Sequence, residues 1–211
     1  MARAPEGILG ASPEGGRRPF GEYRKGEEQR MDAKFKDSRT LANIMSAYAG
    51  ESQAYTKYRI MADKAKKDGY EQIAAIFEET ARNEKTHAGI WLEYIHGGQL
   101  KETKDNLKDA QAGEHFEWTE MYKNYAEEAK REGYTEIASR MELIAKVEKD
   151  HDERYGALIQ NLENSKVFKK DGQQVWICRN CGYIHVGDAA PMVCPLCRHP
   201  QAFFELKAEN Y

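Results

Sequence analysis

Cysteine is missing from most of this 211-residue chain, since all four cysteines lie within its last 34 residues. No hydrophobic run approaches the roughly 20 residues that a membrane-spanning helix needs. A concentrated basic face is also lacking, because 32 Lys and Arg are mixed with 35 Asp and Glu for a net charge of −3. These absences argue against a membrane protein and against nucleic acid or an anionic membrane as partner. We expect a soluble cytoplasmic protein.

The first thirty residues differ in composition from the rest of the chain. Residues 1–30 hold six of the seventeen glycines and three of the six prolines, without hydrophobic periodicity. Such a segment buries too little apolar surface to offset its ordering entropy, so we expect a disordered leader or tag. It lacks the apolar stretch of a secretory signal, and its acids argue against a transit peptide. Met31 is a candidate for the natural first residue.

From Ser38 to about Leu162 the apolar residues recur at steps of three and four, which is typical of amphipathic helices. A longer polar connection at residues 99–109 separates the second helix from the third. These lengths indicate a four-helix bundle with a crossover. The predicted helix boundaries are a cap at Ser38 or Thr40, then Gly69–Tyr70, Gly97–Gly98, Gly133–Tyr134 and Leu162.

An internal repeat supports this arrangement. "AGESQAY" is echoed by "AGEHFEW", "KDGYEQIA" by "REGYTEIA", and "NEKTH" by "VEKDH". The offset is 63 for the first pair (114 − 51) and 64 for the last pair (148 − 84). Two helix pairs related by a pseudo-two-fold axis would place equivalent side chains opposite each other across a core.

The repeat carries a Glu-x-x-His motif twice, at Glu84 and His87 and again at Glu148 and His151. The spacing of three puts carboxylate and imidazole on one helical face. With a further Glu from each of the other two helices, this is the ligand pattern of di-metal helical bundles. The further glutamates occupy matching positions, Glu51 and Glu114.

Carboxylate and imidazole together suit iron or manganese. We expect the four glutamates to be buried, and buried bare carboxylates are too costly to desolvate without cations. The alternative is that these acids lie on solvated faces, but two motifs in register make that reading unfavourable. The repeat breaks at Glu117, whose counterpart near Gln53 or Ala54 has no carboxylate. Glu117 is therefore a seventh candidate ligand.

The four cysteines, Cys178, Cys181, Cys194 and Cys197, form two C-x-x-C knuckles separated by twelve residues. Without a secretion signal, this spacing predicts a tetrahedral metal site, and both zinc and a single iron fit it. Four aromatic residues can cover the site: Trp176, Tyr183, Phe203 and Phe204. The other histidines are not needed as ligands, and we expect His115 at the surface or beside the ligands, His96 at a helix end, and His185 and His199 flanking the knuckles.

Taken together, five stretches resemble the rubrerythrin family: "AGESQA", "NEKTHAG", "AGEHFEWTEMY", "VEKDHDERY" and "CRNCGYIHVGDAAPMVCPLCRHPQAFFE". The resemblance covers about residues 33–208, and Val186 departs from it where a Glu often follows the equivalent His. It implies an all-α four-helix ferritin-like bundle followed by a small rubredoxin-like metal-binding domain with short β-strands. The corresponding boundaries are 1–30 leader, 31–164 bundle, 165–173 linker and 174–211 rubredoxin-like domain.

The resemblance also implies an activity and a role for each residue. The family's proteins are non-haem di-iron peroxidases that reduce hydrogen peroxide to water in oxidative-stress defence. By that likeness Glu84 and Glu148 bridge two irons, Glu51 binds the first iron, and Glu114 with His151 binds the second. Glu117 in the oxidised state and His87 in the reduced state would alternate on the first iron. The resemblance also assigns hydrogen bonds to the ligand carboxylates to Tyr58 and Tyr122.

Electrons would reach the di-iron site through the cysteine-bound iron, from an NAD(P)H-linked donor protein such as rubredoxin or a reductase. About 14 residues separate Glu148 from the predicted end of its helix, so relay within one subunit is long. We therefore expect a head-to-tail homodimer. The alternative function is a ferroxidase that sequesters iron. In that case the cysteine domain would be a structural zinc ribbon without a redox role, and zinc would be the metal found in the isolated protein.

Overall fold

The computed structural model describes residues 33–209, so the predicted leader and Met31 lie outside the described residues. A π-helical segment, Glu117–Met121, joins the fourth helix to the fifth, and a 3₁₀ turn, Gln201–Phe203, precedes the last strand. The remaining elements are α1 (Ala33–Lys36), α2 (Arg39–Lys67), α3 (Glu71–Ile95), α4 (Thr103–Phe116), α5 (Tyr122–Arg131), α6 (Thr135–Glu163), β1 (Lys169–Cys178), β2 (Ile184–Ala189) and β3 (Phe204–Leu206). The predicted fold class, a ferritin-like helical domain followed by a small domain with short strands, is confirmed.

The chain divides into two compact units, one ending at Leu100 and the other beginning at Lys101. The first contains the hairpin of α2 and α3. The second contains the hairpin that α4, the π-helical segment and α5 form with α6, followed by the strands. Within residues 33–209, no helix combines the length and the apolar character needed to cross a membrane.

Both hairpins turn in the same way, through a glycine with positive φ. Gly69 has φ +84° and Gly133 has φ +87°, a conformation that side chains other than glycine rarely adopt. One further hydrogen bond closes each turn, from Tyr70 N to the Ala65 carbonyl in the first hairpin and from Tyr134 N to the Ala129 carbonyl in the second. This is the Schellman termination of a helix, and it explains why glycine marked the helix ends in the sequence.

The cores of the two hairpins match residue for residue. Alanines fill both of them, because small side chains let the two helices of a hairpin approach closely. An offset of 64 relates the members of the first core (62, 65, 74, 77) to those of the second (126, 129, 138, 141). The predicted repeat is thus present in the packing, where the matched residues are Ala62, Ala65, Ala74 and Phe77 in the first hairpin and Ala126, Ala129, Ala138 and Met141 in the second.

The π-helical segment accounts for the change of offset from 63 to 64. Glu51 and Glu114, before the segment, differ by 63, whereas Tyr58 and Tyr122, after it, differ by 64. The backbone N–H of Tyr122 bonds the carbonyl of Glu117, five residues earlier, so one extra residue is held within a continuous helical path. The sequence predicted an uninterrupted third helix, and that was wrong at this place.

Two boundaries also differ from the predictions. Helix α4 begins at Thr103, so most of the polar connection predicted at residues 99–109 is helical. Strand β1 begins at Lys169, so the second half of the predicted linker belongs to the sheet. The domain boundaries at 31–164, 165–173 and 174–211 stay a prediction.

The small domain is a three-stranded antiparallel sheet in the order β2-β1-β3. Its core contains Trp176, Cys178, Ala190, Cys194 and Phe204. Tyr183 packs against this core as predicted, whereas Phe203 is 37% exposed and stacks edge-on with the His199 ring. The metal knuckles therefore supply part of the hydrophobic core, because few other large side chains are buried there.

Candidate metal centres

The first group of candidate ligands lies in the first hairpin. Glu51 comes from α2, and Glu84 and His87 lie a turn apart on α3. His87 Nδ1 is 3.0 Å from Glu84 Oε2 and 3.8 Å from Glu51 Oε2. One ligand atom from each residue lies within 4.8 Å of the others, which is close enough for a single cation to bind all three.

The second hairpin repeats the group with Glu114 from α4 and Glu148 with His151 from α6. His151 Nδ1 is 2.7 Å from Glu148 Oε2 and 3.6 Å from Glu114 Oε2. The structure thus brings together six of the seven predicted ligands as two equivalent groups of three. Two carboxylates and one imidazole in each group are a donor set that suits iron.

Like charges converge in both groups. The hydrogen bond with Glu84 raises the pKa of Glu51, and the same bond lowers the pKa of Glu84. Burial raises the pKa of Glu114, and the charge of Glu148 raises it further. A divalent cation between the carboxylates removes this repulsion, so the electrostatics of each group favour metal binding.

The carboxylates are less buried than the sequence suggested. The glutamate side chains are 15–29% exposed, and the imidazoles of His87 and His151 are 50% and 35% exposed. The four glutamates were predicted to be buried, and the structure places all four at intermediate burial. The case for metal depends on converging carboxylates rather than on the cost of complete burial.

Glu117, the seventh predicted ligand, begins the π-helical segment and is half-buried. It is not part of either three-residue group. Its charge nevertheless contributes to the raised pKa of Glu114, so the two carboxylates are near neighbours. The spacing of three from Glu114 correctly predicted that Glu117 lies near Glu114. It did not predict the π-helical backbone at Glu117.

The predicted tyrosines occupy matching places on the two hairpins. Burial raises the pKa of Tyr122, and the charges of Glu117 and Glu148 raise it further. Tyr58 instead stacks on Phe77, with ring centroids 6.1 Å apart. Within residues 33–209 neither hydroxyl forms the expected hydrogen bond to a ligand carboxylate, so these roles stay a prediction.

The four cysteine sulfurs converge at one end of the sheet. The Sγ atoms of Cys178 and Cys197 are 3.7 Å apart, and those of Cys181 and Cys194 are 3.6 Å apart. A tetrahedron with metal–sulfur bonds of about 2.3 Å has edges of about 3.8 Å, so the set fits a four-coordinate metal. None of the four forms a disulfide, and neither His185 nor His199 belongs to the group.

The two knuckles share one backbone design. Each first cysteine accepts a hydrogen bond at its carbonyl from the residue four positions on, Gly182 in one knuckle and Arg198 in the other. Both of those residues have positive φ, +75° and +64°. The His199 backbone N–H lowers the pKa of Cys197 to about 6, with help from neighbouring sulfurs, so one thiolate forms readily near neutral pH.

Sequence reasoning missed Asp152, the one buried charged residue in the described part of the chain. Its carboxylate accepts hydrogen bonds from Trp118 Nε1 at 2.9 Å and pairs with His115 Nδ1 at 2.8 Å. The Trp118 indole lowers the pKa of Asp152, and His115 and Gln111 add to the effect against burial. The repeat could have pointed to Asp152, because it is a position where the two halves differ: the matching residue of the first hairpin is Ala88 (152 − 64).

Comparison with known proteins gives matches over both parts of the chain. The family model Rubrerythrin matches residues 42–159, and the model for the rubrerythrin rubredoxin-like domain matches residues 176–205. Rubrerythrin-1 of Clostridium acetobutylicum is 45% identical over 83% of this chain and 98% of its own length. Rubrerythrin of Porphyromonas gingivalis is 44% identical over 86% of this chain and 96% of its own.

Among solved structures, a mixed-valence nigerythrin covers 87% of this chain and 94% of its own at 29% identity, with a TM-score of 0.31.

Proposed function

The chain belongs to the rubrerythrin family of di-iron oxidoreductases of oxidative-stress defence, and from this we propose that it reduces hydrogen peroxide to water. The observation that carries the proposal is the pair of equivalent Glu, Glu, His groups. Rubrerythrin domains bind two irons between carboxylates and one iron between cysteines, and both donor sets are present here.

We assign the two groups to a single di-iron centre. Glu84 and Glu148 would be shared by the two irons, Glu51 would be a ligand of the first, and Glu114 with His151 would be ligands of the second. These assignments follow the family resemblance and agree with the matched positions of the residues in the repeat. When bound, two ferrous ions supply the two electrons that peroxide reduction consumes and polarise its O–O bond.

The remaining roles belong to side chains at the edge of the groups. His87 is the more exposed of the two imidazoles, and exposure leaves it freer to leave and return as a ligand. Glu117 is the carboxylate that would take the place of His87 as a ligand in the oxidised state. Tyr122 is protonated near neutral pH, and burial with the charges of Glu117 and Glu148 raises its pKa further, so its hydroxyl would be available to donate to a ligand carboxylate in the iron-loaded site.

Replacing Glu117 by alanine should leave both irons bound and slow peroxide turnover by roughly 10- to 100-fold, the range found for groups that tune a metal site. The matched control is Glu120→Ala, because Glu120 lies in the same π-helical segment and is exposed. Stopped-flow rates and iron analysis of both variants measure the effect. A Glu117 variant with the wild-type rate removes this residue from the mechanism.

We further propose that the cysteine-bound iron relays electrons from a donor protein, either a rubredoxin or an NAD(P)H-linked reductase, in the cytoplasm. Glu148 lies fifteen residues before the end of α6 at Glu163, which is about 22 Å of helix. That length makes relay within one subunit slow. We therefore propose a head-to-tail homodimer, in which the cysteine site of one copy serves the di-iron site of the other.

The dimer has a direct test. Light scattering during gel filtration should give about twice the mass of one chain, and dilution to monomer should lower turnover with the donor protein. Turnover by artificial small-molecule reductants should be affected less, because these reach the helical site without the relay. A monomer with full donor-dependent activity contradicts the proposed arrangement.

A further inference from the structure

Three proposed ligands of the second hairpin are each followed by a residue of one hydrogen-bonded cluster. His115 follows Glu114, Trp118 follows Glu117, and Asp152 follows His151. Asp152 joins the other two, at 2.8 Å from His115 Nδ1 and 2.9 Å from Trp118 Nε1. Because consecutive residues of a helix are rotated by about 100°, this cluster lies on the face next to the ligands.

We propose that Asp152 is a positioning residue that fixes the π-helical segment to α6 and thereby sets the place of Glu117. We call Asp152, His115 and Trp118 the Asp152 clamp. The inference rests on the proposed function of Glu117 as an iron ligand. It gives the clamp a role at the iron site, although none of its three residues belongs to either group of ligands.

Burial is the first support for the clamp. Asp152 is only 8% exposed and has no role in either three-residue group. A buried carboxylate is retained only where donors satisfy it, and removal of such a partner is strongly felt. Here the donors come from α4 and from the π-helical segment, so the carboxylate connects both to α6.

The packing around Trp118 is the second support. Its indole donates to Asp152, lies edge-on to the His115 ring at 5.4 Å, and has Lys149 Nζ 5.7 Å from its ring centroid. These contacts fix the first turn of the π-helical segment from two sides. Glu117 precedes Trp118 directly, so its backbone cannot shift without disturbing them.

A close approach of Gln111 to α6 is the third support. A Cβ on Gly156 would lie 2.8 Å from Gln111 Nε2, so glycine leaves room for this carboxamide. Gln111 also helps to lower the pKa of Asp152. The first hairpin has none of this, because Ala88 replaces Asp152 and Ser52 replaces His115 at offsets of 64 and 63. The clamp accompanies the π-helical segment, which the first hairpin lacks as well.

The test uses Asp152→Ala, with Asp150→Ala as matched control. Asp150 lies on the other side of His151, but its side chain is 66% exposed and pairs with Arg154. In metal-free protein, amide exchange at Glu117–Met121 should be faster in Asp152→Ala by roughly tenfold or more, as expected for lost hydrogen bonds to a charge. In Asp150→Ala it should be unchanged.

The second readout is the Mössbauer spectrum of protein loaded with ⁵⁷Fe. Asp152→Ala should retain two irons at the helical site with an altered signal for one of them, whereas Asp150→Ala should match the wild type. Unchanged spectra, or amide exchange that rises equally throughout α6, overturns the proposal. A wild type without two irons instead contradicts the proposed function, and the exchange experiment still tests the clamp.

Should Asp152→Ala fail to fold, Trp118→Phe and Asp152→Asn decide the matter. Trp118→Phe removes one donor and keeps an aromatic ring, and Asp152→Asn keeps one acceptor oxygen. Both should give the same local rise in exchange, smaller than for a lost carboxylate. Wild-type exchange and wild-type spectra in both variants overturn the clamp.

Discussion

Replacing Glu148 by glutamine is expected to remove both irons of the helical site and to lower peroxide turnover by more than roughly 100-fold. Loss of a residue that only hydrogen-bonds a metal ligand lowers activity by up to about 100-fold, and loss of a ligand itself should lower it more. Glu148 is the least exposed of the six residues in the two glutamate and histidine groups, at 15%, and His151 Nδ1 lies 2.7 Å from its Oε2 atom. We assign it to both irons, so its loss affects both. Glutamine keeps the volume and removes the charge.

Iron analysis, Mössbauer spectra and initial rates measure this effect. Glu153→Gln is the matched control, because Glu153 lies on the same helix with a side chain that is 67% exposed. The control should keep full iron content and rate. Two irons and normal turnover in Glu148→Gln would contradict the proposed bridging role.

In the metal-free protein, the same substitution should make the folded state less sensitive to a rise in pH. The charge of Glu148 helps to raise the pKa of Glu114 in the folded state. A raised folded-state pKa gives stability that is present at low pH and is lost as the pH rises through that pKa. Metal-free Glu148→Gln should therefore lose less stability between pH 4 and pH 7 than the metal-free wild type. Thermal unfolding across that range measures it, and an equal or larger loss contradicts the repulsion.

Replacing Cys194 by serine should remove the metal of the small domain and disorder its strands. Cys194 is completely buried and is one of only five buried residues in that core. Metal binding to such a small domain contributes much of its folding free energy, about 10–16 kcal/mol for structural zinc. The loss of one sulfur therefore removes more stability than the remaining core supplies.

The Cys194→Ser variant should lose donor-dependent turnover but keep the reaction of the helical domain with small-molecule reductants. Donor-dependent peroxide turnover should fall to background, while the helical domain keeps two irons and still reacts with small-molecule reductants. His185→Gln is the control and should retain the metal, since His185 is not in the sulfur group. Wild-type donor-dependent turnover in Cys194→Ser would favour the alternative in which the domain is a passive zinc ribbon.

Much of the fold was predictable because local rules and tertiary structure agree. Gly69 and Gly133 ended helices where only glycine adopts positive φ easily, and Ser38 caps α2 by accepting a hydrogen bond from Leu41 N at 3.1 Å. The spacing of three within each Glu-x-x-His motif fixed two of the three ligands in each group. The third ligand followed from the repeat.

Other features could not be predicted for physical reasons. The offset change showed that one residue was inserted, but the sequence does not say whether a loop or a π-helical turn absorbs it. The importance of Asp152 depends on burial against Trp118 and His115, which lie 34 and 37 residues away. Partial exposure of the glutamates depends on packing, which helical periodicity does not give.

Diffraction from crystals of the iron-loaded protein, recorded at the iron absorption edge, tests the central claim most directly. The claim is that converging carboxylates in the helical domain exist to hold a pair of cations. We predict two anomalous peaks bounded by Glu51, Glu84, Glu114, Glu148 and His151, and a third between the four sulfurs. Glutamate and histidine groups without any peak, and with side chains turned toward water, would contradict it.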